Sequence, residues 1–111
     1  RSAIRRNQPV INHSTNTCGN LTIDFSARLV TKNAATVKLT NTEFNLLALF
    51  FKNEGRVLTH TFILKEIWGV GYQTETQYLR VFIGTLRKKI EDDHHSPKHL
   101  ITESGVGYRF V

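Results

Sequence analysis

Methionine is absent, cysteine occurs once, at Cys18, and only two prolines and one tryptophan stand among 111 residues. A single cysteine excludes an intramolecular disulfide, and no Cys/His set has zinc-finger spacing, so a reducing compartment is expected, with the cytoplasm as the default. No apolar run approaches the roughly 18 residues of a membrane span. The opening Arg1-Ser2-Ala3-Ile4-Arg5-Arg6 lacks the apolar stretch of a secretory signal. A soluble domain without a membrane partner is expected. Because the sequence opens on Arg1 and holds no methionine, it reads as part of a longer chain whose missing portion lies upstream. Acidic residues are also scarce: 9 Asp and Glu stand against 15 Lys and Arg, for a formal charge of +6 and a pI near 9.8. That balance suits a polyanionic partner. The cations cluster, with Arg1, Arg5 and Arg6 at the start and Arg80, Arg87, Lys88 and Lys89 on one later segment.

Catalytic constellations are missing as well. No Ser/His/Asp or Cys/His arrangement stands in a plausible context, and no glycine-rich loop follows a strand in phosphate-binding form. No enzyme, catalytic residue or cofactor is expected. His94 and His95 beside Asp92 and Asp93 offer metal-ligand atoms, but neighbours in a turn converge poorly, so a solvated turn is favoured over a metal site.

A chain of this length is one domain with one modest core. Residues 1–20 read as linker and the start of an N-terminal sheet, since the stretch from Asn7 to Asn20 is rich in Asn, Ser, Thr and Gly, with a short strand near Thr15 to Cys18. Residues 21–111 read as the domain. Alternation at Leu21, Ile23 and Phe25, then segments from Arg28 to Thr31 and Thr36 to Leu39, predict short antiparallel strands. Thr40-Asn41-Thr42-Glu43 is a capping box. It opens a helix whose Phe44, Leu47, Ala48 and Phe51 share a face, with Gly55 as the stop. After a brief extended piece at Val57-Leu58, Thr59 caps a second helix with apolar positions Phe62, Ile63, Ile67 and Trp68. Thr74-Glu75-Thr76-Gln77 is another capping signature, predicting a third helix that runs from about Glu75 to Glu91.

On a wheel at about 100° per residue, Leu79, Ile83, Leu86 and Ile90 of that helix fall in one arc that must face the core. The outward side then carries Gln77, Val81, Gly84 and Lys88, flanked by Arg80, Thr85 and Arg87. A major groove about 12 Å wide admits such a helix. Gly84 lets the backbone come close, Gln or Arg pairs bidentately with base edges, and Thr85 or Val81 meets a thymine methyl. The alternative is an ordinary solvated helix face. Beyond the helix, residues from His99 to Glu103 and from Gly107 to Val111 bracket Ser104-Gly105-Val106, a β-hairpin with a glycine-permitted tip. Tyr108 is open to two readings, phosphate contact or packing, and Arg109 pairs either with DNA or with an acidic residue at the core edge. An α+β winged helix-turn-helix follows: an N-terminal antiparallel sheet, three helices and a C-terminal hairpin wing.

Five ordered segments resemble the effector domain of OmpR/PhoB-type response regulators. They are Leu39-Thr40-x-x-Glu43-Phe44-x-Leu46-Leu47, Gly55-x-Val57-Leu58-Thr59, Ile67-Trp68-Gly69, Leu86-Arg87-Lys88-Lys89-Ile90 and Gly105-x-Gly107-Tyr108-Arg109-Phe110. Tyr78-Leu79-Arg80, Ile83-Gly84, His99-x-Ile101-Thr102-Glu103 and the opening Arg5-Arg6 resemble the branch that controls potassium-uptake genes. The resemblance implies that Gln77, Tyr78, Arg80, Val81, Gly84, Thr85 and Lys88 meet the major groove and its phosphates. The stretch from Gly69 to Thr74 matches the loop that touches RNA polymerase in some relatives, and the resemblance implies further that two copies occupy tandem half-sites on double-stranded DNA under an upstream phosphoacceptor domain. Many relatives carry Arg before the Gly-x-Gly-Tyr motif, where this chain has Ser104, which implies a weaker minor-groove contact. Position 85 is often Arg in PhoB-like members, so Thr85 implies a different target sequence. Two rivals share the fold. A protein-interaction winged helix would be indifferent to the charges of Arg80 and Lys88, and an RNA-binding module is disfavoured by the narrow major groove of A-form duplexes.

Overall fold

The computed structural model describes residues 15–111. The basic cluster at Arg1, Arg5 and Arg6, and the tether read over residues 7–14, lie outside the described residues. Two compact units divide the chain between Lys38 and Leu39. Among the described residues, no helix is long and apolar enough to cross a membrane.

The first unit is an antiparallel meander of β1 (Thr15–Cys18), β2 (Leu21–Asp24), β3 (Leu29–Lys32) and β4 (Ala35–Val37), in spatial order β1-β2-β3-β4. Its register pairs Cys18 with Leu21 and Ile23 with Val30, so the four buried residues are cross-strand neighbours on the pleat. The last strand begins earlier than the alternation suggests. Lys32 pairs with Ala35, so the turn consumes only Asn33 and Ala34, at φ +52° and +70°. Positive φ at both central positions matches the strand twist in a two-residue hairpin, and this turn achieves it without glycine.

The second unit holds α1 (Asn41–Lys52), β5 (Val57–Thr59), α2 (His60–Ile67), a 3-10 turn (Val70–Tyr72), α3 (Thr76–Ile90), β6 (Leu100–Glu103) and β7 (Gly107–Phe110). Strands β6 and β7 form the expected hairpin. The sequence reading left β5 without a partner; it pairs antiparallel with β7, giving sheet order β5-β7-β6. The core gathers Leu46, Leu47 and Phe50 of α1, Ile63 and Leu64 of α2, Leu79, Ile83, Leu86 and Ile90 of α3, and Leu100 and Phe110 of the hairpin, all essentially inaccessible. Burial of each such side chain is worth about 1.5 to 3 kcal/mol. The four α3 aliphatics together make rotation of that helix about its axis prohibitive, and this fixes its outward face.

Two details depart from the sequence expectation. Helix α1 stops at Asn53, whose Nδ2 donates to the Leu49 carbonyl at 2.9 Å, while Gly55 (φ +86°) lies two residues further on and turns the chain to donate to Phe110 O at 2.8 Å. On α2 the buried arc is centred between Ile63 and Leu64. Phe62, expected in the core, therefore falls outside it and is 39% exposed.

The capping box of α1 is present and enlarged. Glu43 N–H donates to Thr40 Oγ1 at 3.2 Å, and Glu43 Oε1 accepts the Thr40 amide at 2.9 Å and Lys89 Nζ of α3 at 2.6 Å. Burial alone would raise the Glu43 carboxyl. The Lys89 ammonium, the Thr40 amide and the Thr40 hydroxyl outweigh that and hold it below its ordinary 4.5. A depressed folded-state value means the stabilisation is complete above the unfolded value, near 4.5, and is lost as pH falls through the folded value. Acid titration of the melting temperature should therefore show wild type losing more stability than Lys89→Gln below about pH 4.5, by about 1 kcal/mol, the order of an N-cap interaction. Parallel acid limbs for the two proteins would remove this pair from the pH dependence.

Candidate nucleic-acid interface

The start of α3 corrects the expected capping box. Glu75, not Thr74, is the N-cap, and among the described residues it makes no side-chain cap hydrogen bond. Its backbone (φ −86°, ψ 58°) is not the extended form that Thr40 and Thr59 adopt when their hydroxyls reach the third amide of α1 and α2. The helix is instead launched from turn bonds, Glu75 N–H to Tyr72 O at 2.9 Å and Tyr78 N–H to Glu75 O at 3.1 Å. Gln77, freed of a capping role, is exposed.

From there the wheel is obeyed. Gln77, Arg80, Val81 and Lys88 are exposed, Gly84 and Thr85 half-buried. Among the described residues no hydrogen bond or ion pair engages the side chains of Gln77, Arg80 or Lys88. Among the described residues, nothing beyond the helix's own backbone lies within 4 Å of where a Cβ on Gly84 would stand. Internal packing therefore does not require glycine there, although glycine inside a helix costs about 1 kcal/mol relative to alanine. The Thr85 hydroxyl donates to Val81 O at 3.0 Å, so its donor is engaged within the helix.

Three sequence-predicted residues have partners within the fold. Tyr78 stacks on Tyr72 (centroids 6.1 Å, planes 11° apart) and lies against Trp68 and Phe82, in an aromatic cluster beside the 3-10 turn. The loop over residues 69–74 exposes Val70 (68%) and Tyr72 next to it. Arg87, expected on the groove-facing side, is engaged by the hairpin: Nε and Nη2 donate to Leu100 O at 3.1 and 2.8 Å, and Nη2 donates to Thr102 Oγ1 at 2.8 Å. Tyr108 is 5% exposed, edge-on to His60 and beneath the Arg87 guanidinium at 5.8 Å, so its ring is packed. Arg109 pairs with Glu103 across the hairpin, as the acidic-partner reading has it. Ser104 is exposed at the tip, where Gly105 takes φ +76° and Val106 N–H closes the turn on Glu103 O.

Between α3 and the hairpin lies a cleft of about 370 Å³, walled by Arg80 and Arg87 on one side, by Thr102 to Gly105 on the other, with His60 and Tyr108 at its base. His60 escaped the sequence reading. It follows the Thr59 cap, and only the non-local pairing of Thr59 with Gly107 brings it to Tyr108.

The sequence family described as "Transcriptional regulatory protein, C terminal" matches residues 34–110. The transcriptional regulatory protein KdpE of Mycobacterium tuberculosis is 45% identical over 99% of this chain and 50% of its own length. Its Escherichia coli namesake, the KDP operon transcriptional regulatory protein, is 43% identical over 82% of this chain and 40% of its own. The chain thus spans half or less of these curated relatives. Among solved structures, the RstA DNA-binding domain of Klebsiella pneumoniae in complex with RstA box superposes with a TM-score of 0.81 at 32% identity, covering 88% of this chain and 97% of that one. The response regulator DrrB of Thermotoga maritima, an OmpR/PhoB homologue, gives 0.80 at 30% identity, covering 87% and 44%. The winged helix-turn-helix built above, the matched residues 34–110 and these likenesses place the chain in the family of transcriptional regulatory protein C-terminal domains, the OmpR/PhoB-type effector domains.

Proposed function

We propose that this domain binds duplex DNA sequence-specifically as the output half of a two-component response regulator, with α3 in the major groove and the β6–β7 wing beside it. One observation carries the reading. The face of α3 opposite its core stripe is a strip of Gln77, Val81, Gly84 and Lys88 flanked by Arg80 and Thr85, with the polar heads of Gln77, Arg80 and Lys88 unengaged among the described residues and a bare glycine at its centre. A glutamine at the helix start reaches base edges, Val81 and the Thr85 methyl suit thymine, and Lys88 suits a phosphate.

The likeness to KdpE supports potassium-uptake genes as the regulated set, and the exposed Val70 and Tyr72 support the loop over residues 69–74 as the contact to RNA polymerase. An upstream phosphoacceptor domain would promote occupation of direct-repeat half-sites by two copies. Fluorescence anisotropy with a potassium-transporter promoter fragment and a scrambled duplex, across a salt series, tests the reading. Tighter binding to the promoter that weakens steeply with salt is expected, because each neutralised phosphate contributes about 0.9 to the slope of log affinity against log salt. Equal binding to both duplexes would remove the potassium assignment. Absence of binding to either would transfer the domain to protein–protein recognition, and a footprint limited to one half-site at saturation would remove the tandem arrangement.

A further inference from the structure

Resting on the DNA-binding reading, we propose that the cleft between α3 and the wing seats a single phosphate of the strand dividing the two grooves, held by Arg80 and His60. Arg80 is then a strand clamp and not a base reader.

The argument is one of position and of charge. With α3 in one groove and the hairpin beside the next, the intervening strand has to pass between them. That passage is the cleft, whose facing walls are Arg80 and the edge of the wing at Thr102 to Gly105. Base edges lie instead under the centre of the α3 face, at Gln77, Val81, Gly84 and Lys88, and Arg80 stands to the wing side of that line. Three arginines border or adjoin the cleft, and their states differ. Arg87 is anchored by three hydrogen bonds to Leu100 and Thr102, so it contributes charge to the wall without reach. Arg109 is paired with Glu103. Arg80 alone of the three is exposed and without an intramolecular partner among the described residues.

Glu103 also lines the cleft and, unopposed, would repel a phosphate. Its pairing with Arg109, Nε to Oε2 at 2.9 Å alongside a second bond from Nη2, cancels that charge and leaves the site net positive. At the base, the His60 ring is held edge-on to Tyr108 (centroids 5.4 Å, planes 85° apart), which orients its nitrogens without engaging them in a hydrogen bond among the described residues. The hydroxyls of Thr102 and Ser104 complete a set of donors suited to phosphate oxygens.

Arg80→Lys and Arg80→Gln separate a phosphate clamp from a base reader, because lysine replaces arginine as a point charge on phosphate but not as a bidentate partner of a base. Two readouts are used: the salt dependence of binding to a random-sequence duplex, and the sequence enriched from a randomised duplex library. The clamp predicts that Arg80→Gln lowers the salt slope by about 0.9, so that its deficit against wild type shrinks about 3.5-fold between about 50 and about 200 mM salt. Arg80→Lys retains the slope, and both variants enrich the wild-type sequence. Adding His60→Ala to Arg80→Gln should cost less than the product of the single effects, since both act on one phosphate. A changed preference at one base position, or a slope unaltered in Arg80→Gln, overturns the clamp, and multiplicative effects remove His60 from it. Wild type that binds duplex DNA in a salt-dependent way while these outcomes fail overturns this proposal alone; wild type that binds no duplex ends the DNA-binding reading and this proposal with it.

Discussion

Gly107→Ala should cost the domain about 3 kcal/mol or more and shift its melting temperature down by roughly 12 °C or more. A Cβ at this position would stand 1.9 Å from Leu58 O, 2.8 Å from Leu58 C and 2.9 Å from Thr59 Cα. All three atoms are backbone, so no rotamer change relieves the overlap. Strand β5 would have to withdraw from β7, breaking the register Val57–Arg109, Leu58–Tyr108 and Thr59–Gly107. Overpacking a core commonly costs about 1 to 3 kcal/mol, and each ladder hydrogen bond surrendered adds about 1 kcal/mol. Against a total stability of about 5 to 15 kcal/mol that is a large fraction. Gly105→Ala is the control. Among the described residues nothing lies within 4 Å of a Cβ at Gly105, so only its φ of +76° is penalised, at about 1 to 2 kcal/mol. Urea unfolding of the two variants should therefore order them with Gly107→Ala well below Gly105→Ala. Equal midpoints would mean that β5 does not pass this close to β7.

The same close approach marks the boundary of what the sequence discloses. Local patterns were legible because local forces make them: the Thr40/Glu43 box and the Thr59 cap are both present, and the 3.6-residue period of Leu79, Ile83, Leu86 and Ile90 correctly sets which face of α3 is outward. The hairpin over residues 100–110 followed from alternation around Gly105. Non-local pairing was not legible. Nothing at Val57 to Thr59 announces β7 as partner, so neither the steric demand on Gly107 nor the placing of His60 under the wing could be drawn from spacing. Arg87 illustrates the same limit. On a wheel it is one more cation beside Lys88, and only the return of the chain at Leu100 turns its guanidinium into a structural tie. The second cap at residues 74–77 failed for a conformational reason, since Glu75 takes a backbone angle that no residue-type pattern encodes.

Glu91→Ala should be nearly as damaging as Gly107→Ala, at about 3 kcal/mol, through a tie that completes the one made by Arg87. Glu91 is the C-cap of α3 and is 5% exposed. Its carboxylate accepts the backbone amides of Lys98 at 2.8 Å, of His99 at 3.0 and 3.2 Å and of Leu100 at 2.8 Å. Arg87, one turn earlier, takes the carbonyl of Leu100. Helix α3 thus holds both backbone groups of the first residue of β6, and the helix that bears the proposed groove-reading face also sets where the wing stands. Truncation to alanine strands these amides, and each buried donor left unsatisfied costs about 1 to 3 kcal/mol, with the Lys98 amide nearest water costing least. Glu91→Gln keeps one acceptor oxygen but turns a donor NH2 towards the same amides, so roughly half the loss is expected. Hydrogen exchange provides the local test: the amides of residues 98–100 should exchange faster in both variants, ahead of the α1 core, and the wing should loosen while α3 stays helical. Unchanged protection at Leu100 would show that the carboxylate is dispensable to the wing. If protection falls as expected, DNA affinity should fall with it in Glu91→Gln although no charge on the α3 face has changed, because a cleft whose far wall moves no longer matches the strand it is proposed to hold.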